Sequence, residues 1–582
     1  MKFVKTKILQ DSKFFIASVL IVFVATLFRF YDLTLKPLHH DEGVNGYFLT
    51  ELFNQGVYKY DPSNYHGPTL YYIALVFTKL LGLETFAVRA SVAIFGVLMV
   101  ILVLALKNHL GNIGSLSAAA FVAVTPGMVY ISRYFIHEIF FVFCSLGFFT
   151  VFVFFIENRK PGYIAILTLA LILFVCFLPS LNVVRLLQLD NDFAVFIVKV
   201  IILALGSILV YLLLRIIVTY KDGLLIYPMI GSAFIALFFA TKETAFITIG
   251  TMIIAVFCIW LWEKLYKGAS SKTSLTFDGL KERFSSKREL LLTLTICLIT
   301  FTYVAAVFFS SFFTYPRGII GAFEAYSFWT KTGIKDHIGR FTLYLEWLWK
   351  LEYPLVLLSL LGILIAFFRA KSRFAMFVGL WAFGLFLAYS LIPYKTPWLM
   401  LSFLLPMCIA SGYSINEMAF SQRKILKFLA FVLLFLSLAI LSYNSYDLNF
   451  RRYDDDSLPY VYAHTRRSFL QMVEKIHYYA EKSGRSKSAT IQIVSPEYWP
   501  LPWYLKQYDH ANFYGRIVDA KEAEMIIAEK GKQDLETFRK YRTNYRIVDV
   551  YSLRPGVDLV LLVRKDLADE DTKSYEEIIR IK

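Results

Sequence analysis

Three clusters of polar residues stand out from the apolar sequence around them. The first reads His39-His40-Asp41-Glu42-Gly43-Val44-Asn45-Gly46-Tyr47 and continues to Asn64-Tyr65-His66-Gly67-Pro68-Thr69-Leu70-Tyr71-Tyr72. Adjacent carboxylates beside histidines can act as a general base or supply oxygen and nitrogen ligands to a metal. A solvated acidic loop with an ordinary helix cap would give the same letters. The second cluster is Ser132-Arg133-Tyr134-Phe135-Ile136-His137-Glu138. Charges so close to apolar runs either snorkel to a surface or face a cavity. The third is a pair of lysines, in Ala240-Thr241-Lys242-Glu243-Thr244 and in Ile392-Pro393-Tyr394-Lys395-Thr396-Pro397-Trp398. A fixed ammonium at such a depth can hold a phosphate as a point charge, or anchor to headgroups.

The elements that must position these clusters are membrane spans. Of the 582 residues, 57% are hydrophobic and 18% charged, against about 25% charged in soluble domains. That balance excludes a soluble enzyme, a disordered chain and a fibrous protein. Apolar runs occupy 14–30, 86–106, 115–131, 139–156, 163–178, 193–218, 224–240, 245–262, 290–309, 354–368, 374–392, 398–413 and 425–443. They predict about 13 transmembrane helices, each near the ~20 residues a bilayer demands. No small-residue cleavage site follows the first run, so it reads as an uncleaved span.

Lysine and arginine in short loops mark the cytoplasmic side. The basic start, Lys107, Arg159 with Lys160, Lys221, Arg369 to Arg373, Arg423 to Lys427 and the loop 264–289 all fall on one side when the spans alternate. The N-terminus is therefore expected inside the plasma membrane, and the three polar clusters outside it. The net charge of +16 is then topology rather than a nucleic-acid footprint. An odd span count places the C-terminal segment outside as well.

The chain is expected to divide into a transmembrane domain, 1–443, and an extracytoplasmic α/β domain, 444–582. In the latter, 464–482 and 520–530 read as helices, and 489–494, 545–550 and 557–563 as strands. All five cysteines lie in apolar runs, so no disulfide framework is indicated. The aromatic loop 310–353 and the stretch 70–77, too short to span, suit interfacial helices. Tyr498-Trp499-Pro500-Leu501-Pro502-Trp503-Tyr504 can stack on sugars or dock as an edge.

Taken together, these residues resemble the GT-C superfamily of membrane glycosyltransferases, in particular the protein O-mannosyltransferases and lipid A aminoarabinose transferases. Asp41-Glu42 matches the acidic pair of the first external loop. His66 to Tyr72 is similar to a His-Pro-Pro-Leu-Tyr-Tyr segment, with Gly67 and Thr69 as departures. Ser132-Arg133 followed by Glu138 matches a second-loop motif in which Asp is usual. Thr241-Lys242 resembles a Thr-Lys turn, and Lys395 with Pro397 a basic Lys/Arg-Pro element, Trp398 replacing a more typical Tyr, His or Arg. Residues 37–41, 394–398 and 500–505 also resemble a prokaryotic branch described as flippase-activity-associated.

The resemblance implies a GT-C-like all-α membrane domain and transfer of a sugar, of hexosyl type, from a polyprenyl-phosphate donor lipid. The acceptor is a protein, lipid or glycan at the extracytoplasmic face. Asp41 is expected as the base of an inverting displacement, with Glu42 and Glu138 shaping its surroundings. Lys242, Lys395 and Arg133 are expected to meet the phosphate, and His66, His137, Tyr394 and Trp398 to line the substrate site. No cofactor is required; a divalent cation on Asp41, Glu138 and His66 or His137 is compatible with the pattern. Two rival readings carry over: a flippase for lipid-linked sugar, and a non-catalytic partner whose exterior domain binds glycan.

Overall fold

The computed structural model describes residues 2–64, 66–187, 189, 191–219, 223–266, 280, 282–335, 337–519 and 522–575. Of the residues used above, Tyr65, Lys221, much of the basic loop 264–289 and the start of the expected helix at Ala520 lie outside them. The chain divides into two compact units. One comprises Met1–Tyr31, Glu51–Gly82 and Arg89–Asn449, and the other Asp32–Thr50, Leu83–Val88 and Phe450–Lys582.

The first unit is a helical bundle of a multi-pass membrane protein. Among the described residues, eleven helices are long and apolar enough to cross a membrane, or twelve if one bent pair counts as a span. The expected number of about 13 is corrected by two runs. The run at 224–240 is a helix of 14 residues, Ile226–Phe239, cut short by a turn at Gly223 (φ 81°) and another at Ala240–Thr241. Apolarity alone does not reveal those turns.

The run at 115–131 is the bent pair, Lys107–Val124 and Pro126–Ser132, which meet at 55°. Pro126 lacks the N–H that would continue the first helix. Arg29 of the span Ser12–Phe30 serves the carbonyls left at the break: Nη1 donates to Ala123 O at 2.9 Å and Nη2 to Val122 O at 2.9 Å. On the other side Glu352 Oε1 accepts from Gly127 N at 3.1 Å. A cation meets the negative end of one helix and an anion the positive end of the next. A Cβ on Gly96 would lie 2.4 Å from both Arg29 Nε and Ser132 Oγ, so the neighbouring span gives way at that point.

The expected short helices are also present. Thr69–Leu81 buries Leu70, Tyr71, Tyr72, Ala74 and Thr78 and exposes Val76, Leu80 and Leu81. Arg317–Lys335 and Leu343–Leu351 occupy the aromatic loop.

The second unit is built on a five-stranded sheet of order β2-β1-β3-β5-β4, with β1 Thr490–Ile493, β2 His510–Phe513, β3 Met525–Glu529, β4 Tyr545–Arg554 and β5 Val557–Arg564. β1 runs parallel to β2 and β3, while β5 is antiparallel to β3 and β4. Alternate residues face opposite cores. Ile491, Met525, Ile527, Leu559 and Leu561 pack with Phe469, Met472 and Ile476 of the helix Ser468–Lys482. Ile526, Ala528, Val560 and Leu562 share a core with Tyr541 of the helix Asp534–Tyr541. The helix expected at 520–530 is instead strand β3. All five of its residues are buried, and a strand covered on both faces is a continuous apolar run without period two.

Candidate active site

In the membrane unit, the turn after Ile226–Phe239 is held by the segment that follows His66. Gly67 N donates to Thr241 O at 3.1 Å, and Thr69 N to Ala240 O at 3.3 Å. Thr69 Oγ1 and Thr241 Oγ1 lie 2.7 Å apart. A Cβ at position 67 would stand 2.0 Å from Ala240 O, so only glycine allows this approach. The two departures from the family pattern, Gly67 and Thr69, are thus the residues that grip the Thr-Lys turn.

With the turn fixed, Lys242 Nζ meets Glu138 Oε1 at 2.5 Å, each side chain 5% exposed. Glu138 is the first residue of the helix Glu138–Ile156. Beside the pair, His137 Nε2 lies 3.1 Å from Gly67 O, and the His66 and His137 rings are 4.9 Å apart. Glu243, next to Lys242, is buried, with Oε2 3.6 Å from His66 Nδ1, beyond hydrogen-bond reach. Glu243 was not singled out by the sequence reading. The available signal was a second charge directly after Lys242 at the end of an apolar run.

Burial pushes the His137 imidazole well below its ordinary value, with His66 and Lys242 adding to the effect. The folded protein therefore keeps His137 neutral where the unfolded chain protonates. Below about pH 6.5 the unfolded state binds more protons, and stability falls as the pH drops. Thermal unfolding in detergent should shift to lower temperature between about pH 7.5 and about 5.5, and His137→Asn should flatten that slope.

The other expected cations are engaged within the protein. Lys395 Nζ donates to Tyr389 O at 3.0 Å, Ser390 O at 3.1 Å and Ile392 O. Lys395 thus seals the C-terminal end of the helix Arg373–Leu391. Arg133 is buried and donates through Nη1 to Tyr31 O at 2.6 Å, Phe28 O and Arg29 O, closing the end of the first span. Tyr394 is half-buried and pairs with Ile338 across a short antiparallel bridge, its ring 5.3 Å from His337. Trp398 is buried in the short helix Pro397–Met400.

In the second unit, Asp41 and Glu42 lie in the first turn of the helix His40–Gln55. Glu42 is fully buried, and its Oε2 accepts from His39 N at 3.0 Å. His39 returns the favour: Nδ1 accepts from Asp41 N at 3.0 Å, while Nε2 lies 3.0 Å from Tyr462 O. This is a capping box in which an imidazole replaces the usual hydroxyl. It requires neutral His39 with its proton on Nε2, and burial moves the ring in that direction. Glu42 thus caps the helix, and Asp41 keeps an accessible carboxylate, 41% exposed.

Among the described residues, no three or more His, Cys, Asp or Glu side chains come together as a metal site requires. Glu138 is taken by Lys242 and His137 faces a backbone carbonyl.

Residues 65–178 match the family model described as dolichyl-phosphate-mannose-protein mannosyltransferase, a segment that holds His66, Arg133, His137 and Glu138. No curated protein matches the chain by sequence. Among solved structures, the chain is similar to ArnT from Cupriavidus metallidurans bound to undecaprenyl phosphate, with a TM-score of 0.55 and 13% identity over 95% of this chain and 98% of that one. ArnT in the apo state gives 0.54 and 14% over the same shares. The archaeal oligosaccharyltransferase AglB from Archaeoglobus fulgidus, in complex with an inhibitory peptide and a dolichol-phosphate, gives 0.48 and 12% over 97% of this chain and 75% of that one. The chain has the GT-C fold that its motifs led one to expect.

Proposed function

We propose that this GT-C-fold protein is an integral-membrane glycosyltransferase that moves a sugar from a polyprenyl-phosphate carrier to an acceptor hydroxyl at the extracytoplasmic face. The observation that carries the reading is the division of labour within the acidic pair. Glu42 is consumed as a helix cap, while Asp41 on the same first turn stays accessible. A carboxylate so placed can take a proton from an incoming hydroxyl. The mannosyltransferase pattern at 65–178 supports the same class of chemistry.

In the proposed reaction the acceptor oxygen forms a bond to the anomeric carbon as the bond from that carbon to the phosphate oxygen breaks. The acceptor proton passes to Asp41, and polyprenyl phosphate leaves with the bonding electron pair. A single displacement inverts the sugar. The leaving phosphate needs a cation. Lys242 is the candidate, since Glu138 Oε1 takes one of its N–H groups and an ammonium has three.

The test is a proteoliposome assay with a radiolabelled polyprenyl-phosphate sugar. New covalent glycan that appears only with the protein supports the reading. Movement of intact donor lipid between leaflets, with no new glycosidic bond, would establish the flippase instead.

A further inference from the structure

His40, directly before Asp41, is held by the C-terminal part of its own unit. Arg554 ends β4, and its Nη1 lies 3.4 Å from His40 Nδ1. The other terminal nitrogen, Nη2, is paired with Glu497 Oε2. The His40 ring lies 6.2 Å from Trp499, and Trp499 lies 6.1 Å from Tyr47 further along the helix. A Cβ on Gly43 would stand 2.5 Å from Pro500 Cβ, so the helix presses closely on the segment at 499–500. The aromatic stretch at 498–504 therefore packs against the first turns of the helix that carries Asp41.

Guanidinium groups only donate hydrogen bonds, so Nδ1 of His40 accepts and the ring proton sits on Nε2. We propose that Arg554, itself paired with Glu497, is a positioning residue that holds His40 in its neutral Nε2–H form beside Asp41, making the C-terminal segment part of the working site. The proposal rests on the reading of Asp41 as the base. A protonated His40 would pair with Asp41 and lower its basicity, so the rate should fail on the acid side when His40 takes up a proton. The groups that face His40 are Asp41, His39, Arg554 and Glu497. Burial pushes its titration down, as do His39 and Arg554, while Asp41 and Glu497 push it up.

Arg554 and its partner Glu497 thus act on His40 in opposite directions, which a merely structural role would not. Nitrogen-15 histidine NMR on the full-length protein in detergent, with the His40 signal assigned through His40→Asn, reads the titration directly. Arg554→Gln should raise the pH at which His40 protonates, and Glu497→Gln should lower it, each by about half a unit. Arg554→Lys, which keeps charge and donor, should stay at the wild-type value. In the transfer assay the acid limb of the rate profile should rise in Arg554→Gln and hold in Arg554→Lys. Shifts of one sign, or none, overturn the proposal. So does a His40 titration that moves while the rate profile of an active protein does not, and the transferase reading then stands. Wild-type protein that transfers no sugar overturns that reading, and the proposal with it.

Discussion

Asp41→Asn lowers sugar transfer by about 10²- to 10⁴-fold, the contribution of a positioned general base, and leaves the protein folded. The amide has the shape of the carboxylate but does not accept the proton. Folding is spared because the helix start does not depend on this side chain: Glu42 and His39 make the cap between them. The neighbouring substitution separates the roles. Glu42→Ala removes a cap and costs about 1 kcal/mol of stability. Turnover at saturating donor, measured with the unfolding temperature of each variant, checks both. Wild-type turnover in Asp41→Asn eliminates the proposed base.

The second large effect is on stability and is non-additive. Lys242→Met or Glu138→Leu alone should cost about 3–5 kcal/mol, because each strands a buried charge. The double variant should cost clearly less than the sum, since two apolar side chains can replace a buried pair at little loss. Unfolding of the four proteins in detergent gives the coupling directly. The double variant should still transfer no sugar, having no ammonium for the leaving phosphate. Additive losses would mean that the pair contributes nothing as a pair, and transfer by the double variant would remove Lys242 from the reaction.

The membrane class was legible because lipid demands long apolar runs, and eleven of those runs are helices of the expected kind. The errors came where tertiary neighbours decide the outcome. A turn gripped by Gly67 and Thr69 shortened the helix Ile226–Phe239, and burial on both faces made β3 look helical. At the site, residue type revealed charge but not partners. Lys242 and Lys395 look equivalent in sequence; one pairs with a carboxylate and the other spends its three protons on a helix end. Glu42 and Asp41 look equivalent too, and only their positions in a helical turn tell them apart. Arg133 stands out by its charge in a polar cluster, whereas Arg29 lies within the apolar run 14–30; the backbone carbonyls that occupy both carry no mark in the sequence.

The junction at Pro126 bears on how the chain is made. Ribosomes deliver the span Ser12–Phe30 before the break at Pro126, and Arg29 must wait in its last turn until Val122 and Ala123 have been synthesised. During that interval a cation in the leading segment lacks the oxygens that later satisfy it, and it can rest only at the headgroup level. Glu352 reaches its own place later still. Assembly therefore includes a late locking step, in which the break at Pro126 is closed by Arg29 on one side and Glu352 on the other.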